Sequence, residues 1–316
     1  MRKMGRFSRC SGTPGAVLFV TLMVAACAAP EPIPLPERPD IPFGEGRIWK
    51  VEGDGIAPSY VFGTYHISDP RVMEITEAVE NAFQSSQIAA FEYDYGPDAE
   101  EFEVDLEMIK LPEGTTTRSL VGNDTFGKLQ FILRSRDRVP RNDIKPWIFW
   151  DSLGGPRAGL YTNDDESVRD APVLDDWLQT RARDEGKKVV GLETQEEGFL
   201  KYDSIPMEMQ VRLLTATVEH YHSRRGGAPT VQYYLDGDLA MLEAFWQEGL
   251  SWYDPDVAEM LDFRISINRN HIMVERMQPL MREGPTFVAV GAGHLSGEEG
   301  ILRLLEQQGY RVTRVL

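Results

Sequence analysis

The chain has 316 residues, with 50 aspartates and glutamates against 33 lysines and arginines, for a formal charge of −17 at pH 7. Such an acidic excess repels nucleic acid and anionic headgroups, so neither is expected as a partner through charge. Both cysteines, Cys10 and Cys27, lie in the N-terminal segment, which excludes disulfides, thiolate catalysis and cysteine-ligated metals from the domain that follows.

Arg2, Lys3, Arg6 and Arg9 form a basic leader, and the apolar run from Ala16 to Ala26 is too short to span a bilayer comfortably. The run ends in Val24-Ala25-Ala26-Cys27, which resembles the lipobox of bacterial lipoproteins, where the cysteine becomes the lipidated first residue. The expectation is a signal peptide over residues 1–26 and a lipid anchor at Cys27. Ala28 follows where aspartate would mark inner-membrane retention, so the anchor is expected in the outer membrane, facing the periplasm. Plain signal-peptide cleavage at small residues is the alternative. Pro30, Pro32, Pro34, Pro36, Pro39 and Pro42 make residues 27–43 an extended tether. No later stretch is apolar enough to cross a membrane, so the lipid alone would hold the chain there. Residues 44–316 suffice for one large domain with an inserted subdomain.

Ile48–Glu52 and Tyr60–Phe62 read as a hairpin across Gly53-Asp54-Gly55, and Gly63-Thr64-Tyr65-His66 follows at once. Asp69-Pro70 starts a helix carried on by Val72, Ile75, Val79, Ala82 and Phe83. A buried strand, Ile88 to Phe91, then ends in Glu92. A strand, helix and strand with short links form a right-handed crossover, which sets the strands parallel and brings His66 and Glu92 side by side at the ligand-binding edge. Helical patterns cover about 102–109, 124–134, 207–221, 230–247 and 256–282, and residues about 98–260 are expected to hold a helical insertion capping that edge. Within it, 174–183 reads as a helix and 187–190 as a strand leading to Glu193, with Thr194 and Glu197 spaced as a capping box. Phe287–Val290 is a buried strand running into Gly291-Ala292-Gly293-His294; Ser296 and Glu299 repeat the capping-box spacing before a helix over 301–308, and 310–315 closes as a strand. The fold class expected is α/β, with a central mixed, mostly parallel sheet flanked by helices and a helical cap.

The chemistry centres on the repeated Gly-x-x-His. Glycines Gly63, Gly291 and Gly293 allow sharp turns or close approach, so His66 and His294 are both aimed from strand ends. His220 and His222 are two apart on a helix and cannot chelate one ion, and His271 reads as a helix-surface residue. Glu92, after an apolar run, is expected half-buried and in need of a cation, which a metal, a histidine or Arg269 would supply; Asp94 is the alternative acid. His66, His294 and Glu92 make a catalytic metal set with one position open for water, or, without a metal, a general base, its orienting carboxylate and a second proton carrier. Glu193 stands at another strand end, but with Glu196 and Glu197 it reads as a solvated helix start. Trp147 and Trp150 read as packing.

Trp49-Lys50-Val51, Phe62-Gly63-Thr64-Tyr65-His66, Lys145-Pro146-Trp147, Gly191-Leu192-Glu193-Thr194, Arg269-Asn270 and Val288–Leu295 together resemble the TraB/GumN family, which includes the Tiki-type membrane-tethered proteases and is distantly similar to erythromycin esterases and the haem-binding ChaN lipoproteins. The resemblance implies a metal-dependent hydrolase of the peptidase kind, using manganese, cobalt or zinc and acting on a peptide or small-molecule substrate. Its motifs carry over to His66, Glu92 and His294 as metal ligands and catalytic groups, to Gly63 and Gly291, and to Arg269 as a neighbour that would steady oxyanion charge. Tyr65 replaces the usual aliphatic residue, and Phe91-Glu92-Tyr93-Asp94 stands where valine and leucine are commoner. The alternatives are a metal-independent, esterase-like hydrolase and a non-enzymatic haem-binding, small-ligand-binding or regulatory lipoprotein.

Overall fold

The computed structural model of the chain describes residues 34–67, 69–97, 99, 102–135, 138, 141–154, 173–221 and 229–316. The leader, Cys27 and His222 lie outside them. Strands β1 (Ile48–Glu52) and β2 (Ser59–Thr64) pair as the expected antiparallel hairpin, Ile48 opposite Phe62. The single helix expected from Asp69 is instead two. Asp69 caps α1 (Pro70–Met73), and the Thr76 hydroxyl then accepts from the Val79 amide to start α2 (Glu77–Gln84). β3 (Ile88–Tyr93) follows and is buried nearly throughout.

The segment expected to be helical from residue 102 contributes only α3 (Leu106–Ile109), whereas α4 (Thr117–Arg134) starts earlier than the apolar pattern, at a Thr116–Ser119 capping box, and kinks at Gly122 (φ 84°). Then come α5 (Pro146–Ser152), α6 (Leu174–Asp184), β4 (Lys188–Glu193), α7 (Gln195–Asp203) behind the Thr194–Glu197 capping box, and α8 (Met207–His220). The expected helix 230–247 breaks at Gly237 (φ 72°) into α9 (Pro229–Asp236) and α10 (Leu239–Leu250). The long helix from Asp256 is continuous but contains a π-helical turn, Phe263–Ile267, between α11 (Pro255–Asp262) and α12 (Asn268–Glu283). β5 (Thr286–Gly291), a 3-10 turn (Ala292–His294), α13 (Ile301–Gln307) and β6 (Arg311–Arg314) complete the chain. Ser296 and Glu299 form no capping box: α13 begins at Gly300, with no side-chain cap.

The sheet order is β4-β3-β5-β2-β1-β6, parallel from β4 to β2 and antiparallel from β2 to β6, which is the mixed, mostly parallel α/β sheet expected. One neighbour relation differs. β2 and β3 are parallel but not adjacent, because β5 lies between them. The sheet's core is aromatic and aliphatic: Phe287 meets the Phe83 ring edge-on, centroids 5.3 Å apart, with Phe62 at 5.9 Å. Stripes at every fourth residue, Leu174, Leu178 and Ala182 on α6 and Met273, Met277 and Met281 on α12, are buried in the same core. Each large side chain buried this way stabilises by about 1.5–3 kcal/mol. Between residues 98 and 260, α6 and β4 join the sheet, while α4, α5 and α8 gather one further cluster around Leu129 and Leu214, and Leu213 with α11 another around Leu261. Among the described residues no helix is long and apolar enough to cross a membrane.

Candidate functional site

Parallel strands end on one edge. In register, Thr64 of β2 lies opposite Gly291 of β5, and Ala289 of β5 opposite Phe91 of β3. His66 therefore stands just past β2, His294 just past β5, and Glu92 near the end of β3, around a cavity of about 380 Å³. The glycines are required by crowding at two of the three positions. A Cβ on Gly291 would lie 2.8 Å from His66 Nε2 and 3.0 Å from Glu92 Oε1; one on Gly63 would lie 2.9 Å from Leu295 Cδ1. Gly293 differs, since an added Cβ would meet nothing within 4 Å.

The His66 side chain is 38% exposed, open to the cavity. Its Nδ1 lies 2.9 Å from Asp175 Oδ2, while the other oxygen of Asp175 accepts from the Thr64 hydroxyl at 2.7 Å. This pairing orients the ring so that Nε2 faces Glu92 Oε1 at 3.3 Å. Burial opposes charge on the ring, but Asp175 and Glu92 outweigh it and hold the His66 pKa well above its usual value. Asp175 comes from the first turn of α6, where a helix N-terminus favours negative charge.

Glu92 is buried. Its Oε1 accepts from the Gly291 amide at 2.7 Å and its Oε2 from Arg269 Nη2 at 2.6 Å. Burial by itself would raise its pKa, yet Arg269, with His294 and His66, holds the carboxyl group well below the usual range. Arg269 is only 4% exposed and reaches several partners at once. Its Nε and Nη2 donate to Glu193 at 2.9 and 2.5 Å, Nη2 also to Glu92, and Nη1 to the Ile265 carbonyl at 3.3 Å and to His294 Nε2 at 2.9 Å. All its N–H groups meet protein acceptors. The oxyanion role expected of Arg269 therefore has no free donor, and the residue instead ties the acids to the second histidine.

That contact fixes the His294 tautomer. A guanidinium can only donate, so Nε2 of His294 accepts, and Nδ1–H donates to Asn270 Oδ1 at 2.6 Å. Asn270 is oriented in turn by its Nδ2, which donates to the Glu299 carbonyl at 2.8 Å. Arg269 and Asn270 both follow directly on the π-helical turn, a local widening often found at functional sites.

Two residues outside the expected set thus complete the site. Glu193, read from the sequence as part of a solvated helix start, is 5% exposed and pairs with Arg269; only Glu196 and Glu197 belong to the helix start. Asp175 was not anticipated, because Asp175-Asp176 in a first helical turn resembles ordinary capping charge. Asp94 turns away to Arg183. His220 stacks on Trp252, centroids 6.2 Å apart, and His271 pairs at the surface with Glu299. Trp147 packs on Tyr202 and donates to Asp203.

Whether a divalent ion suits these residues can be judged from donors and charge. Two ligands each about 2.1 Å from a tetrahedral ion lie roughly 3.4 Å apart. Glu92 Oε1 is 3.3 Å from His66 Nε2 and 3.9 Å from His294 Nε2. Two carboxyl groups, Glu92 and Glu193, share one guanidinium, an excess of negative charge that a cation would offset, while Asp175 pairs with His66. His66 Nε2 and Glu92 Oε1 fit by type and face the cavity, whereas His294 Nε2 would reach an ion only by giving up its bond to Arg269. Among the described residues no group of three or more histidine, cysteine or acidic side chains is placed so that it could hold a metal ion as the side chains stand.

The TraB/PrgY/gumN family model matches residues 47–314. Similar curated proteins include Metalloprotease TIKI2 of Danio rerio, 26% identical over 81% of this chain and 58% of its own length, and Metalloprotease TIKI1 of Xenopus tropicalis, 26% identical over 84% and 60%. The Metalloprotease TIKI homolog of Nematostella vectensis is 26% identical over 82% of this chain and 65% of its own. The chain thus spans about six-tenths of the length of the curated relatives it matches. No solved structure matches it significantly.

Proposed function

This chain belongs to the TraB/PrgY/gumN family, and from that footing we propose that it is a metal-dependent hydrolase of peptide bonds, held at the cell envelope by a lipid on Cys27 and facing the periplasm from the outer membrane. The observation that carries the reading is the meeting of His66 Nε2, His294 Nε2 and Glu92 Oε1 beside Gly291, at the wall of a cavity large enough for a side chain. The relatives named metalloproteases support the peptide substrate.

In this reading His66 and Glu92, with His294 once its Nε2 leaves Arg269, would hold a manganese, cobalt or zinc ion, which would supply Lewis acidity for the hydrolysis. Asp175 holds the His66 ring so that Nε2 stays aimed at the centre. Glu92, kept ionised by Arg269, offers Oε1 as a donor or as the acceptor of a proton from attacking water. Asn270 and Arg269 fix the His294 ring, one bond at each nitrogen.

The test is cleavage of a degenerate peptide library by the full chain, with elemental analysis of the same preparation. His66→Ala is expected to abolish cleavage and lower bound metal while the circular dichroism is unchanged; an unaltered rate would defeat the reading. Cys27→Ser is expected to release the chain from the membrane fraction. A second reading, a metal-independent hydrolase with the Asp175–His66 pair as general base, is favoured by Arg269 occupying His294 Nε2. Full activity in excess chelator would decide for it.

A further inference from the structure

The cavity's own charge is unbalanced. Among its lining residues four carboxyl groups, Glu92, Asp175, Asp176 and Glu243, meet two permanent cations, Lys201 and Arg269, and the His66 ring, which pairs with Asp175 and Glu92. Neither cation is available to a ligand: Arg269 is saturated, and Lys201 donates to the Tyr93 hydroxyl at 2.9 Å while lying over the Tyr93 and Tyr202 rings. Glu92 and Asp175 are committed to Arg269 and His66. Glu243 is different. It lies on α10 and accepts from Gln247 Nε2 at 2.8 Å, and among the described residues no cation pairs with it; burial, with Asp262 nearby, pushes its pKa up. An uncompensated acid in a half-buried wall costs stability unless something positive meets it.

A second observation points the same way. The Thr230 side chain lines this cavity, is 1% exposed, and its hydroxyl has no hydrogen-bond partner among the described residues. A buried hydroxyl without a partner costs about 1–3 kcal/mol, so it is an acceptor and donor kept for a ligand or its water. Trp246, one helical turn beyond Glu243, lines the same cavity, with its indole fixed by a 2.7 Å bond to Asp262, and an aromatic face of this kind attracts cations.

We infer that the cavity selects substrates carrying a primary ammonium or a guanidinium group, received by the Glu243 carboxyl group with the Thr230 hydroxyl as a second acceptor. This deepens the hydrolase reading and rests on it for what the cation belongs to. A peptide offers that chemistry from two sources, its free N-terminus and its lysine or arginine side chains.

The sources and the two readings separate in one binding experiment. The full chain carrying His66→Ala, which leaves the Glu243 wall intact, is titrated calorimetrically with a hexapeptide holding one lysine, its N-acetylated form, its norleucine form, and the form with both changes. Loss of both cations is expected to weaken binding by about tenfold or more, as for a hydrogen bond to a charged group; the single changes show which cation is used. Glu243→Gln in the same background is expected to erase the difference, and Thr230→Val to reduce affinity several-fold. The four-peptide comparison needs no further variant to fold. Equal affinity for the doubly neutral peptide, unchanged affinity in Glu243→Gln, or no binding of the cationic peptide would each overturn the inference. Cleavage of neutral and basic peptides at the same rate by the unaltered chain overturns it while sparing the hydrolase, whereas selective binding without any cleavage does the reverse.

Discussion

The two Gly-x-x-His segments read alike in sequence and end adjacent parallel strands, yet their rings stand in opposite surroundings. His66 is 38% exposed, held at Nδ1 by one acid and turned at Nε2 toward another. His294 is 4% exposed, with both nitrogens engaged, one by Asn270 and one by Arg269. The strand end sets where each ring sits; the helix beside it sets the chemistry. α6 brings Asp175 to the first, and α12 brings an amide and a guanidinium to the second. One arm is built to meet a ligand and the other to hold the wall.

The most severe way to break that contrast is on the His294 side. Arg269→Leu leaves Glu92 and Glu193 buried without a cation and is expected to cost about 3–5 kcal/mol of unfolding free energy in urea. The same helix pairs with an acid at the surface as well, where Arg276 meets Glu197 of α7 at 2.7 Å; Arg276→Leu should cost under about 1 kcal/mol. Next, His294→Ala strands the Arg269 and Asn270 groups and should destabilise by about 1–3 kcal/mol, against less than about 1 kcal/mol for the half-exposed His66→Ala, although both should abolish turnover. Gly291→Ala forces the catalytic groups apart, with an expected cost of about 1–3 kcal/mol and loss of activity. Gly293→Ala, with open space around it, should stay within experimental error in thermal melts.

Asp175→Asn sharpens the His66 side. It keeps the shape but loses the charge that orients the ring, and a roughly 10–100-fold fall in kcat/KM is expected, with Asp175→Glu recovering part of it. The smallest effect is pH-dependent. The Arg276 guanidinium, against a weaker opposing effect of burial, holds the Glu197 pKa at about 2. Since that lies below the unfolded value of about 4.3, the pair's stability is complete near neutrality and fades as pH falls toward 2. Glu197→Gln should therefore differ from the parent by a few tenths of a kcal/mol at pH 7, and by nothing measurable at pH 2 if the fold survives there.

The strands and the histidines were legible because buried parallel strands appear as unbroken apolar runs and both ended in the same turn. Sheet order was not. Placing β5 between β2 and β3 depends on pairings between residues as far apart as Tyr60 and Phe287, or Ile88 and Thr286, and no local pattern encodes it. Glu193 and Asp175 were hidden by their neighbours, since each stands beside other acids at a helix start and looks solvated until the partner arrives from afar. The break at Gly237 was overlooked because Thr230 and Gln247 bracket an apolar pattern that stays in phase across it.

The central position of β5 has a consequence for how the protein is made. A nascent chain that ends before Thr286 holds β2 and β3 with no strand to bridge them, and it lacks the Gly291 amide on which Glu92 depends. Sheet closure and assembly of the site therefore wait for the same late segment, so incomplete chains carry no assembled centre and expose unpaired strand edges while synthesis continues.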